Sequence, residues 1–333
     1  MFAKTNGGRG CVHWVWMPLF DQLLHFTPLY RTRPWGGRRL ETILHRELPD
    51  DQSYGESWDL VDRQDDQSVV ASGPLVGTTL HDLWTRHRDD VFGRDYAASA
   101  AARFPLLIKA LDCADDLSLQ VHPPESVAAA LHGEPKTEMW YVAHADEGSR
   151  IYAGLRAGVT RERFEQAVKD GSAAGCVHQL QARTGDSLFV PSGRLHALGR
   201  GLLIYEIQQN SDTTYRVFDW DRGKKGGVPR KMHIAEALQS IDFGDREPAL
   251  LKSEGESLVR DSIFEIEKWL LPEEREIAPS GSFAIVVGLT GAFECAGVAF
   301  KPGDFFLVPA QLEDRAVRPV GENVSLLRVT VPL

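Results

Sequence analysis

A short pattern occurs twice in the chain and constrains the fold more than any other feature. Residues 184–191 read TGDSLFVP and residues 302–309 read PGDFFLVP. In each copy a Gly-Asp turn leads into a short apolar strand that ends at proline. The equal length of the copies favours duplication of a β unit over chance recurrence of a common turn. His196 follows the first copy, whereas the equivalent segment after the second has no histidine. We therefore expect one unit to carry chemistry and the other to be structural.

Other apolar runs between Gly, Pro and Asp turns predict a chain made mainly of β-strands. They include residues 202–207 and 284–289. Helical patterns are few: residues 161–169, capped by Thr160, residues 233–240, and a weaker pattern over residues 81–87. Many strands with few helices favour a sandwich or jelly roll over a parallel α/β sheet.

Composition excludes several classes of protein. The 333 residues carry a formal charge of −10, whereas general nucleic-acid binding needs a basic surface. The four cysteines are scattered, so we expect no disulfide framework and a reducing cytoplasmic location. The uncharged residues 10–20 are too short to span a bilayer, and no signal-peptide cleavage site follows. Phosphate-binding loop, dinucleotide-binding and hydrolase nucleophile motifs do not occur.

Polar residues with metal-ligand chemistry occur on three segments. The spacing of Gly185, Pro191, Gly193 and His196 fits the second sequence motif of cupins, which delivers a histidine into a barrel. Ser118, Gln120 and His122 alternate with Leu119 and Val121, so they share one strand face. Lys136 and Glu138 would likewise face one way. Gln120, His122, Glu138 and His196 then form an N2O2 set for a divalent metal at a catalytic site.

Taken alone, His122 or His196 would more often be a hydrogen-bonded turn residue. Gln120 could contact the metal ligands without binding the metal itself. The set as a whole favours the metal.

The segments after His196 supply further candidates. Residues 199–201 (GRG) predict a three-residue hairpin loop that pairs Leu198 with Leu202 and places Glu206 on the face of His196. A carboxylate there could act as an acid or base, or bind a hydroxyl group. Arg216 ends a polar segment and could stabilise an oxyanion or bind phosphate. Residues 222–231 form a basic loop, either solvated or attracting phosphate.

Several blocks together resemble type I mannose-6-phosphate isomerases in their short bacterial form. The resemblance extends over residues 26–242, and its blocks are residues 33–37 (RPWGG), 55–58 (GESW), 104–109 (FPLLIK), 118–123 (SLQVHP), 136–141 (KTEMWY), 190–196 (VPSGRLH) and 206–220 (EIQQNSDTTYRVFDW). It implies a cupin-type double-stranded β-helix, or jelly roll, with a degenerate second cupin unit and a few short helices. We expect an uncertain extension at residues 1–16, a catalytic cupin domain at 17–242 and a degenerate cupin-like domain at 243–333.

The resemblance also implies the chemistry. One zinc ion per chain would be held by Gln120, His122, Glu138 and His196. Arg216 matches a position regarded as catalytic, while Ser118, Lys136 and Glu206 match positions that line a sugar-phosphate pocket. The reaction implied is the interconversion of mannose 6-phosphate and fructose 6-phosphate through an enediolate.

The resemblance leaves the general base open between Glu206 and a zinc-bound hydroxide. Lys136 could bind phosphate or move a proton between oxygens. The partner expected is a small sugar phosphate, with no nucleic acid and no membrane. Alternatives are a metal-dependent cupin of other chemistry and a cupin that only binds a sugar or sugar phosphate.

Overall fold

The computed structural model describes residues 2–6, 12–16, 19–96, 99–220, 229–253 and 255–332. The strands are β1 (Phe2–Asn6), β2 (Val12–Trp16), β3 (Leu29–Gly37), β4 (Tyr54–Leu60), β5 (Leu106–Cys113), β6 (Leu119–Val121), β7 (Glu138–Ala145), β8 (Arg150–Leu155), β9 (Val177–Gln181), β10 (Ser187–Val190), β11 (His196–Leu198), β12 (Leu202–Gln209), β13 (Tyr215–Phe218), β14 (Ser257–Arg260), β15 (Glu265–Leu270), β16 (Arg275–Glu276), β17 (Ala284–Cys295), β18 (Val298–Phe300), β19 (Phe305–Val308) and β20 (Ala316–Thr330).

The α-helices are short. They are α1 (Arg39–Thr42), α2 (Leu80–Arg86), α3 (Arg88–Val91), α4 (Glu125–Ala128), α5 (Arg161–Asp170) and α6 (Ile234–Ser240). Three 3-10 helices cover Arg94–Tyr96, Ala129–Leu131 and Ala173–Cys176. The three predicted helices correspond to α2, α5 and α6, and the mainly-β prediction is confirmed. In the described parts of the chain, no helix combines the length and apolar character needed to cross a membrane.

The residues group into two compact units. Unit A contains residues 28–61 and 105–259, and unit B contains residues 1–27, 62–104 and 260–333. The division into consecutive domains at residue 242 stays a prediction. Along the sequence, segments of unit A alternate with segments of unit B. Within the expected extension 1–16, β1 and β2 form an antiparallel pair, and the remaining residues lie outside the described ones.

Unit A is built from two antiparallel sheets. One has the strand order β10-β7-β12-β5-β4-β3 and the other β13-β6-β11-β8-β9. Buried apolar side chains from both sheets form a shared core, among them Leu111, Trp140, Ile151, Leu198 and Ile204. This core holds the two sheets face to face, which is the predicted jelly-roll arrangement.

Helices α5 and α6 belong to a second core of unit A. Phe164 and Ala167 of α5 and Ala237 of α6 pack with Leu119 and Ala197 from the five-stranded sheet. The predicted cap is present, since the side chain of Thr160 accepts a hydrogen bond from the Arg163 amide at 3.3 Å. The helices thus cover one face of the five-stranded sheet. Its other face packs against the six-stranded sheet, where the shared core and the polar site lie.

The predicted hairpin at residues 199–201 is wrong. Strand β11 pairs with β6 and β8, whereas β12 pairs with β5 and β7 in the other sheet. The connection instead crosses between sheets: the Gly199 amide bonds to the Arg150 carbonyl and the Gly201 amide to that of Cys113. The turn residues 199–201 are compatible with either a hairpin or such a crossing. The crossing is favoured because it buries the apolar side chains of both β11 and β12.

Unit B contains the second copy of the repeated pattern. Its sheet includes the strand order β15-β20-β17-β18, with β16 on β20 and β19 on β17. Phe293, Phe300 and Phe306 lie in its core. The two turns have the same geometry: φ is 93° at Gly185 and 92° at Gly303. The following aspartate accepts a hydrogen bond from the amide three residues earlier, at 2.7 Å in the first copy and 2.8 Å in the second.

Candidate metal centre and active-site cavity

Three buried side chains of unit A converge on one point. His122 follows β6, Glu138 begins β7 and His196 begins β11, so both sheets contribute. Their ligand atoms all lie within 4.8 Å of one another. The Nε2 atom of His122 is 3.6 Å from Glu138 Oε2, and that of His196 is 3.5 Å from Glu138 Oε1. The cluster therefore offers two nitrogen donors and a carboxylate to a single ion.

Backbone carbonyls orient both imidazoles. His122 Nδ1 lies 2.7 Å from the Thr213 carbonyl oxygen, and His196 Nδ1 lies 2.9 Å from that of Arg194. Because a carbonyl can only accept, each Nδ1 carries the proton and each Nε2 keeps its lone pair. This orientation of histidine by a second hydrogen bond is typical of metal ligands.

The electrostatics of the cluster favour a bound cation. Burial lowers the pKa of His122 well below its usual range and that of His196 to about 4. Burial also raises the pKa of Glu138, although Lys136 opposes the shift. Among the described residues, His122 Nε2 has no hydrogen-bond partner. A buried lone pair left unsatisfied costs free energy, and coordination of a divalent cation would remove that cost.

Gln120 lies beside the cluster. It is the register partner of His196, and its Nε2 atom is 3.3 Å from His196 Nε2. Its Oε1 atom instead accepts a hydrogen bond from Ser118 at 3.3 Å. The amide oxygen is the atom that would bind a metal, so ligation requires rotation of this amide. The ligand role of Gln120 stays a prediction.

Ser118 connects this amide to Arg216. Arg216 Nε donates to Ser118 Oγ at 3.0 Å, and its Nη1 donates to the Lys231 carbonyl at 2.8 Å. Burial and then the charge of Arg230 lower the pKa of Arg216. A line of polar contacts thus runs from His196 through Gln120 and Ser118 to the guanidinium.

Lys136 and Glu206 form a buried charged network. Lys136 Nζ lies 3.3 Å from Glu138 Oε2 and 3.9 Å from Glu206 Oε1. Lys109 Nζ lies 3.2 Å from the same oxygen of Glu206, and the Trp140 indole donates to its other oxygen at 3.3 Å. Although burial opposes both shifts, Lys109 and Lys136 lower the pKa of Glu206, while Glu138 and Glu206 raise the pKa of Lys136. Both groups are therefore charged at neutral pH.

Three residues of this network were missing from the predicted site. Besides Lys109 they are Arg33 and Glu56, which are joined through both carboxylate oxygens at 2.8 and 3.1 Å. Although burial opposes it, Lys109 and Arg33 lower the pKa of Glu56 to about 2. The sequence does mark Lys109 as a candidate, since it is the only lysine in β5, a strand that is buried throughout. A buried charge in an apolar strand indicates a specific partner.

A cavity of about 380 Å³ joins these residues. Its polar lining includes five cationic and three carboxylate side chains: Arg33, Lys109, Lys136, Arg216, Arg230, Glu56, Glu206 and Asp212. Ser118, Gln120, Trp35 and Thr214 also line it. A locally basic cavity therefore lies within an acidic chain. Arg222, Lys224 and Lys225 of the predicted basic loop lie outside the described residues.

The jelly roll and its His-Glu-His cluster define a cupin with a candidate metal centre. Residues 23–136 match the sequence model of a family described as phosphomannose isomerase type I, catalytic domain. The mannose-6-phosphate isomerase of Streptococcus mutans is 35% identical over 286 residues, covering 83% of this chain and 88% of that protein. The chain therefore belongs to the type I phosphomannose isomerase family.

Solved structures agree with this assignment. The crystal structure of the mannose 6-phosphate isomerase from Bacillus subtilis superposes with a TM-score of 0.80 at 31% identity, covering 93% of this chain and 99% of that one. A mannose 6-phosphate isomerase structure described as bound with zinc and yttrium shares the fold, with a TM-score of 0.73 at 17% identity. It covers 93% of this chain and 100% of the other.

Proposed function

We propose that the protein is a zinc-dependent aldose–ketose isomerase that interconverts D-mannose 6-phosphate and D-fructose 6-phosphate. The observation that carries this proposal is the position of Gln120. This residue lies against His196 of the metal-type cluster and also lines the basic cavity. A single site thus combines a place for a divalent cation with a place for an anionic sugar.

The residues fit one zinc ion per chain. His122, Glu138 and His196 would hold it, with Gln120 as a fourth ligand after rotation of its amide. Nitrogen and oxygen donors without thiolates are typical of catalytic rather than structural zinc sites. When bound there, zinc supplies a Lewis acid that polarises substrate oxygens.

The chain's own residues account for the proton transfer. The isomerisation moves a proton from C2 to C1 of the sugar through an enediolate. Glu206, kept as a carboxylate by Lys109 and Lys136, would accept the carbon-bound proton and return it to the neighbouring carbon. Lys136, kept protonated, would donate a proton to O1 of the sugar and take one back from O2. Arg216 would stabilise the negative charge that develops on these oxygens.

We further propose a cytoplasmic location and a small sugar phosphate as the partner, with no nucleic acid and no membrane. Support for a reducing compartment comes from Cys113, Cys176 and Cys295, which are all free thiols in the structure.

A coupled assay tests the function directly. It follows mannose 6-phosphate to fructose 6-phosphate with the purified protein, with the protein treated with a chelator, and after zinc is added back. We expect activity that is lost with the chelator and recovered with zinc. A folded, zinc-loaded protein without turnover would contradict the proposal and would favour a cupin that only binds its sugar.

A further inference from the structure

Gln208 places a fully buried amide near the end of β12, two residues after Glu206. Its register partner in β7 is Glu138 of the His-Glu-His cluster, so the two side chains lie on the same face of the six-stranded sheet. The proton transfer proposed above gives this amide no task. Because a buried polar group is costly unless it is hydrogen-bonded, an amide at this position indicates a specific role.

The amide nitrogen of Gln208 holds the loop that follows β12. Its Nε2 atom donates to the carbonyl oxygens of Gln209 at 2.7 Å and of Ser211 at 2.8 Å. Only the nitrogen of an amide can donate, so two carbonyl acceptors fix the orientation of the group. Among the described residues, its Oε1 atom has no hydrogen-bond partner. The amide is therefore used by the protein as a donor to the loop.

The same loop reaches the candidate metal centre. The carbonyl oxygen of Thr213 lies 2.7 Å from His122 Nδ1, and the Thr213 amide donates to the Ser211 hydroxyl at 3.2 Å. The carbonyls of residues 209, 211 and 213 thus each accept a bond from a buried side chain, the first two from Gln208 and the third from His122. Ser211 and His122 are each 1% exposed, so water cannot readily replace these partners.

The position of the Thr213 carbonyl decides whether His122 can bind a metal. With the carbonyl in place, the imidazole proton stays on Nδ1 and the lone pair of Nε2 faces the cluster. Without it, the proton can move to Nε2, and that atom can no longer coordinate an ion. Any group that holds the loop therefore also prepares the histidine.

We propose that Gln208 is a positioning residue for the metal centre. It holds the loop so that the Thr213 carbonyl fixes the tautomer and direction of His122, and it thereby raises the affinity of the cluster for zinc. The inference rests on the proposed function for the identity of the metal. Gln208 acts through Thr213 and His122 rather than as a ligand.

Zinc binding measured without turnover tests this inference. The metal-free protein is titrated with zinc in competition with a coloured chelator. The test variant is Gln208→Met, which keeps a side chain of similar length and removes both donated bonds.

Gln67→Met is the matched control. The Nε2 atom of Gln67 also donates twice, to Asp62 Oδ1 at 2.9 Å and to the Arg63 carbonyl. Its Oε1 atom is likewise buried without a hydrogen-bond partner among the described residues, but Gln67 belongs to unit B.

We expect Gln208→Met to bind zinc about 10-fold more weakly, the lower end of the loss seen when a group behind a metal ligand is removed. Gln67→Met should bind zinc like the unmodified protein, although it also loses two hydrogen bonds. Equal zinc affinity in the two variants, whether both are weakened or both unchanged, would overturn the inference.

The tautomer of His122 is a readout that a general loss of stability does not move. Nuclear magnetic resonance of the metal-free protein with isotope-labelled histidine should show the proton on Nδ1 in the unmodified protein and in Gln67→Met. Gln208→Met should show a mixture of both tautomers. A pure Nδ1–H form in Gln208→Met would contradict the route through Thr213.

Ser211→Ala keeps the test decisive if Gln208→Met does not fold. It removes only the hydroxyl that accepts from the Thr213 amide, and it should weaken zinc binding several-fold. Ser325→Ala is its control, since it removes a buried hydroxyl that bonds to Thr290 in unit B. Equal zinc binding by these two variants would again count against the inference.

The outcomes separate this inference from the proposed reaction. If the zinc effects are found but mannose 6-phosphate is not turned over, the proposed reaction is wrong and the role of Gln208 stands. If turnover requires zinc and Gln208→Met binds zinc normally, the inference alone fails.

Discussion

His122 is oriented by Thr213, whose carbonyl oxygen lies 2.7 Å from the imidazole Nδ1 atom. Thr213 lies in the polar segment between β12 and β13, and this segment is itself held in place. The Thr213 hydroxyl accepts a hydrogen bond from the Glu134 amide at 3.0 Å, and its amide bonds to the Ser211 hydroxyl at 3.2 Å. The polar loop therefore contributes to the candidate metal centre through its backbone, which sequence analysis of side chains does not show.

Substitution of Glu138 and of Glu206 should impair the protein in different ways. We expect Glu138→Gln to lose the bound zinc and at least about 100-fold of the activity, because it removes the only carboxylate of the cluster. Glu206→Gln should lose a similar share of activity while keeping one zinc per chain, because Glu206 contacts lysines rather than the cluster. Metal content by mass spectrometry and the coupled assay check both. Loss of zinc in Glu206→Gln would show that this carboxylate supports the metal rather than the proton transfer.

Glu56 predicts a specific acid sensitivity. Its pKa is about 2 in the folded protein, against 4.5 in an unfolded chain. Between these values the unfolded state binds more protons, so stability falls as pH falls through that window. The contribution at neutral pH is about 3 kcal/mol. Urea unfolding should show Glu56→Gln less stable by about that amount at pH 7, with the difference shrinking toward pH 2.

The exposed Glu322 offers a matched control for this measurement. Glu322→Gln should change the free energy of unfolding little at any pH. A Glu56→Gln difference that stays constant from pH 7 to pH 2 would rule out charge pairing as its cause.

Gly201 should tolerate alanine less well than Gly148. Both have left-handed backbone, with φ of 87° and 82°. A Cβ atom on Gly201 would clash with Ser149 Oγ and lie 3.0 Å from Asp146 Cβ, whereas none of the described atoms lies within 4 Å of one on Gly148. Both variants carry the same backbone strain of about 1–2 kcal/mol, and Gly201→Ala adds a clash of about 1–3 kcal/mol. Equal losses in thermal unfolding would mean that Ser149 moves aside freely.

Much of the fold was predictable because its signals are local. The apolar runs, the Thr160 cap and the repeated Gly-Asp turn depend on neighbouring residues, and the structure contains all of them. The pairing of β11 was not predictable in this way. Residues 199–201 permit a hairpin, and only the packing of distant strands directs β11 and β12 into different sheets.

The same distinction between local signals and long-range packing applies to the candidate site. His122, Glu138 and His196 come together as predicted, because strand alternation and motif spacing fix where each side chain points. Glu206 lies near Lys136, but it reaches the site from the sheet opposite that of His196 rather than across a hairpin from it. Arg230 and Asp219 form an ion pair although they are eleven residues apart in sequence, and no periodic pattern in the sequence predicts this pair.

The crossing between β11 and β12 has a consequence for how activity arises during folding. His196 belongs to one sheet and Glu138 and Glu206 to the other, so neither sheet alone can assemble the reactive groups. The ligand geometry depends on the separation of the sheets, which is set only when the shared core has closed. Contacts between residues so far apart in sequence form late and slowly. Recovery of turnover after dilution from denaturant would therefore lag behind recovery of strand content, and enzymatic activity reports the completed barrel rather than its parts.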